Sequence, residues 1–132
     1  MNMQIPSILS AVTHTVTQKQ INQYARASGD YNPLHIDQEF ASTTPYGKTL
    51  AHGMLILALL SEFMTQTFGT AWTSGGKLKV RFREPVFAGT QISFSGKLRI
   101  PIHDSNEVTY ELLCQDHNGT NCVTGEAHLV IK

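Results

Sequence analysis

Asp30 and His35 stand five residues apart in the stretch Ser28-Gly29-Asp30-Tyr31-Asn32-Pro33-Leu34-His35. A carboxylate and an imidazole turned towards one point can share a water molecule or a substrate proton, which is what general acid–base chemistry requires. The segment between them is not expected to be regular helix. Gly29 tolerates backbone angles closed to other residues, and Pro33 pushes Asn32 towards an extended conformation. A bent loop is therefore predicted, with Asn32 holding the loop or a catalytic partner in place. Asp30, His35 and Asp37 are also a conceivable ligand set, but no second His/Cys cluster has ligand spacing, so no metal is expected.

The elements that must position this loop lie on both sides of it. Ile8 to Thr15 is predicted as a first strand. Thr17, with Gln20 three residues on, opens a helix in the capping-box pattern, and Ile21, Tyr24, Ala25 and Ser28 share one of its faces. Gly29 ends it. Asp37 caps a short second helix through Glu39 and Phe40, and Thr44-Pro45-Tyr46-Gly47 is a turn. The main helix runs from His52 to about Gln66. Its segment Met54 to Leu60 is apolar on every side, the pattern of a helix enclosed by protein, and Met54 and Met64 are assigned to the core.

The second half reads as strands. Leu78, Val80 and Phe82 alternate with Lys77, Lys79, Arg81 and Arg83, giving a half-buried strand with a solvated cationic face, stopped by Pro85. Ile92, Phe94, Leu98, Ile100 and Ile102 continue the alternation, and Pro101 suggests an end or a bulge near a sheet edge. Glu107 to Gln115 and Thr120 to Ile131 form a hairpin around Asp116-His117-Asn118-Gly119. Pairing Asp116 with Asn121 sets Val108, Tyr110, Leu112 and Cys114 opposite Leu129, Ala127, Gly125 and Val123. Cys114 then faces inward and Cys122 outward, which argues against a disulfide. An apolar helix followed by a one-sided antiparallel sheet predicts an α+β fold, with the sheet curled around the helix.

Composition narrows the function classes. The 132 residues suit one domain, 1–132, and ten basic residues balance ten acidic ones. That balance argues against a nucleic-acid partner. Met54 to Leu60, the longest apolar run, falls far short of the ~20 residues that span a bilayer, so no membrane association is expected. Met1 to Ser10 lacks the pattern of a signal peptide, and a cytoplasmic location is expected. His14, His103, His117 and His128 belong to no constellation.

Four segments, in order, carry a resemblance. Ser28 to Asp37 is similar to the signature of the MaoC-like dehydratases, the (R)-specific enoyl-CoA hydratases of hot-dog fold. Ala51-His52-Gly53-Met54 resembles the start of that family's central helix. Phe82-Arg83-Glu84-Pro85-Val86-Phe87-Ala88-Gly89 resembles its strand-and-turn segment, and Thr124-Gly125-Glu126-Ala127 its last strand. The resemblance implies a single hot-dog domain and a hydro-lyase that adds water reversibly to trans-2-enoyl-CoA. It implies Asp30 and His35 as the catalytic pair, the Gly53 backbone N–H as donor to the thioester oxygen, and Ser61 as a polar residue near the substrate. No cofactor is implied beyond the coenzyme A of the acyl-CoA substrate, and a homodimer is expected. The neighbouring alternatives are a 3-hydroxyacyl-[acyl-carrier-protein] dehydratase, a hot-dog thioesterase and a non-catalytic acyl-thioester-binding module.

Overall fold

The computed structural model describes residues 5–99 and 106–131. Strand β1 (Ile8–Thr15) leads into helix α1 (Gln18–Ser28), the short helices α2 (Pro33–Ile36) and α3 (Gln38–Ser42), and the long helix α4 (Gly53–Phe68). After the single turn α5 (Thr70–Thr73) come β2 (Lys77–Phe82), β3 (Gln91–Leu98), β4 (Glu107–Asp116) and β5 (Asn121–Val130). The strands form one five-stranded sheet of order β1-β3-β4-β5-β2. Every neighbouring pair is antiparallel. Ile100, Pro101, Ile102 and His103, to which an extended strand, a sheet edge and a stray histidine were assigned, lie outside the described residues.

Helix α4 lies against the sheet because its apolar residues have nowhere drier to go. Leu55, Ile56, Leu60, Phe63, Met64 and Phe68 are buried. They join Ile92, Phe94, Tyr110, Leu112, Ala127 and Leu129 of the strands in one core. Each fully buried side chain of this size contributes roughly 1.5–3 kcal/mol. The helix is not enclosed all round. Met54, assigned to the core, is 57% exposed, whereas Met64 is fully buried. Ala58 and Glu62 share the open side, because a sheet on one face of a helix leaves the opposite face to another partner. Phe82, placed by alternation on the buried face of β2, is likewise 53% exposed at the end of an edge strand.

The hairpin register holds for the four apolar pairs from Val108–Leu129 to Cys114–Val123. Nearer the turn it slips: Gln115 rather than Asp116 faces Asn121, so Cys122 is an extra, bulged residue. The bulge breaks the alternation and turns Cys122 inward, so both thiols are buried and free. Gly125 has a steric reason. A Cβ there would run into the Lys79 carbonyl oxygen on β2.

Burial, with Cys122 and Asp116 adding to it, pushes the Cys114 thiol from 9.0 up to about 12. A raised thiol favours the folded state, which holds the proton more tightly than the unfolded chain. That contribution is complete below pH 9 and is lost as pH rises towards 12. Urea midpoints measured from neutral pH upward should therefore fall beyond pH 9, and less steeply in Cys114→Ala than in wild type.

Candidate active site

Thr17 accepts the Gln20 backbone N–H and opens α1, while the Gln20 side-chain oxygen accepts from His14 Nε2 at 2.8 Å instead of reaching back to the cap. Gly29 ends the helix with φ 78°, a left-handed angle that favours glycine. Ser28 is exposed rather than packed, and its hydroxyl accepts the Asp30 backbone N–H. The next segment differs from the bent loop expected. Asn32 caps the helical turn α2 by accepting the Leu34 N–H at 3.0 Å, and Pro33 occupies its first turn. Asparagine followed by proline is a helix-start signal in its own right, and it was legible in the sequence. This turn carries His35 inward, where it is half-buried, while Asp30 stays on the exposed stretch before it.

His35 is held from several directions. Its Nδ1–H donates to the Leu50 carbonyl at 2.7 Å. A carbonyl has no proton to give, so Nδ1 carries the hydrogen and a neutral ring has its lone pair on Nε2. The Gln18 amide donates to the His35 carbonyl at 2.8 Å and its oxygen accepts from the buried Thr49 hydroxyl, tying α1 to both. The segment from Thr49 to His52 is itself clamped. The Leu50 N–H reaches the Leu34 carbonyl, and the Ala51 N–H reaches that of Val86. Ala88 in turn donates to Thr49. Pro85 to Gly89 thus anchors the chain that enters α4.

His52 is a site residue that the sequence disclosed only as part of the helix-start motif. Its ring is buried and stacks on His35, with centroids 3.9 Å apart and planes 26° from parallel. Its Nε2–H donates to the Asp30 carbonyl at 3.0 Å. One ligand-type atom from each of Asp30, His35 and His52 lies within 4.8 Å of the other two, whereas Asp37 is instead the cap of α3. A water making two hydrogen bonds of ordinary length at a tetrahedral angle spans about 4.6 Å, a span compatible with the 4.8 Å within which the Asp30 and His35 atoms lie. Two imidazoles and a carboxylate are also a donor set a divalent cation accepts. Each imidazole here already commits one nitrogen to a backbone carbonyl.

Gly53, next in the chain after His52, is the first residue of α4. Its N–H is one of the helix-terminal donors that lack an intrahelical partner. The glycine borders a cleft of about 280 Å³ lined by Tyr46, Leu50, Ile56, Phe82 and Val86. A larger hollow of about 660 Å³ lies on the sheet's outward face among Lys79, Arg81, Arg99 and Glu111, and includes none of the residues above. Ser61 stands two turns further along α4, half-buried, and its hydroxyl oxygen accepts the Trp72 indole N–H at 2.9 Å. Ser61→Ala leaves that buried indole without its acceptor, and the expected cost is about 1–3 kcal/mol, read from urea unfolding.

A curled antiparallel sheet around one long helix is the hot-dog fold. The chain superposes on the (R)-hydratase from A. caviae involved in PHA biosynthesis with a TM-score of 0.83, at 26% identity over 93% of each chain. The MaoC like domain model matches residues 7–111, and the chain belongs to that family. It is 30% identical to an (R)-specific enoyl-CoA hydratase of Aeromonas caviae over 82% of this chain and 81% of that one. It is 36% identical to a 3-hydroxyacyl-thioester dehydratase Z of Mycobacterium tuberculosis over 64% of this chain. That match spans 58% of the relative's length.

Proposed function

We propose that this chain is an (R)-specific enoyl-CoA hydratase, a hydro-lyase acting on trans-2-enoyl-CoA in fatty-acid metabolism. The observation that carries the proposal is the convergence of Asp30 and His35 on His52 at the start of α4, with His35 bonded to Leu50, which lines the cleft at Gly53. Water sits between the Asp30 carboxylate and the His35 Nε2 lone pair, each accepting one of its hydrogens. As the water oxygen bonds to the β-carbon, Asp30 takes the proton and negative charge moves to the thioester oxygen. The Gly53 N–H and the α4 dipole stabilise that enolate, whose α-carbon then takes the same proton back from Asp30, restoring the carboxylate. Asn32 supports the pair by fixing α2, and Ser61 is assigned to the neighbourhood of the substrate by the family resemblance, its hydroxyl being held by the Trp72 indole. No metal or redox cofactor takes part.

A cytoplasmic homodimer accounts for the open side of α4. Met54 and Phe82 are exposed next to the cleft, and a second copy covering them would bury both. Among the described residues no helix is long and apolar enough to cross a membrane.

A carrier-protein thioester is the second reading. Lys79, Arg81, Arg83 and Lys97 are exposed around the outward hollow, and Arg83 also lines the cleft at Gly53, a surface suited to an acidic partner. One experiment separates these readings. Crotonyl-CoA should lose its enoyl absorbance without release of free thiol, equally fast with and without a chelator. Thiol release identifies a thioesterase. Turnover of crotonyl-carrier protein alone identifies the second reading, and silence towards both thioesters rejects hydration.

A further inference from the structure

His52 is 2% exposed, yet its Nδ1 is buried with no hydrogen-bond partner among the described residues. A buried polar atom left unpaired is costly, and an apolar ring would fill the same space without that cost. What the imidazole provides instead is a set of attachments. Its Nε2–H holds the Asp30 carbonyl, and its ring plane backs that of His35. Its own carbonyl accepts the Leu55 and Ile56 N–H groups as the cap of α4, immediately before Gly53. Tyr24 of α1 packs beside it at 4.9 Å.

We propose that His52 is a positioning residue that sets the mutual geometry of Asp30, His35 and the Gly53 N–H. The role rests on the hydration reading above. His52 touches neither the water nor the thioester in that scheme. It holds Asp30 by its backbone, so its loss displaces the carboxylate without removing it. A displacement of about 1 Å typically costs about 10²-fold in rate while substrate still binds.

His52→Phe keeps the ring and its packing and deletes the bond to Asp30. Its kcat on crotonyl-CoA is expected to fall about 10- to 100-fold with KM within about twofold of wild type. His52→Gln extends an amide N–H to the same carbonyl and should recover most of the lost kcat. If the Phe variant does not fold, His52→Asn, too short to reach the carbonyl, replaces it in the comparison. A residue needed only for stability would lower the amount of folded protein and leave kcat per folded site unchanged, with no rescue by Gln. A Phe variant with wild-type kcat, or a Gln variant no better than Phe or Asn, overturns the role of His52 alone. A wild-type protein that hydrates no enoyl thioester overturns the reaction on which the role depends.

Discussion

Asp30→Asn is expected to lower the hydration rate of crotonyl-CoA by about 10²–10⁴, with a melting temperature close to wild type. The loss is chemical because the structural duty of Asp30 survives the change. Its side chain is exposed, and Oδ1 accepts the Asn32 N–H at 3.2 Å, a bond that an asparagine carbonyl oxygen also makes. What disappears is the ability to take a proton from water. His35→Asn makes the complementary cut. The asparagine amide occupies roughly the place of Nδ1 and keeps the bond to the Leu50 carbonyl, but nothing remains where Nε2 stood. A fall of similar size is expected. Steady-state rates beside thermal melts test both, and near-normal turnover in either variant places the acid–base chemistry elsewhere.

Gly53→Pro should be the second large effect, with kcat reduced about 10²–10³-fold. Proline at the first helical position removes an N–H that makes no intrahelical bond, so the helix loses little. The preceding residue tolerates it as well: His52 has φ −60° and ψ 136°, an extended conformation of the kind a following proline imposes. A Cβ at this position would lie 3.2–3.4 Å from the ring carbons of Phe82, whose exposed ring has room to yield. Gly53→Ala is the control, since it adds the same Cβ but retains the N–H. Alanine should keep far more activity than proline. Equal losses in the two variants mean that crowding against Phe82, rather than a donor to the enolate, explains the glycine.

Local patterns carried much of the fold because they report short-range physics. Thr17 and Gly29 bound α1 as capping chemistry dictates, and Asp37 caps α3 by accepting the Phe40 N–H. Alternation in β4 and β5 set the register of four pairs correctly. The same rules misplaced Cys122, because a bulge inserts one residue and reverses the faces beyond it. They also misplaced Met54 and Phe82. Apolarity shows that a side chain seeks cover, but it does not say whether this chain or another supplies it.

The sequence by itself singled out Asp30, Asn32, His35 and Gly53 as candidates through their types and order, because caps, turns and chemical groups are properties of neighbouring residues. Only the tertiary structure decided that His52 belongs with them. A histidine 22 residues beyond Asp30 reaches its carbonyl because the Thr49–His52 segment is clamped between α2 and the chain around Val86. That clamp is made of backbone hydrogen bonds, which any residue type can form. Spacing along the chain therefore carries no trace of it, and the stacked pair of imidazoles appears only once the chain has closed.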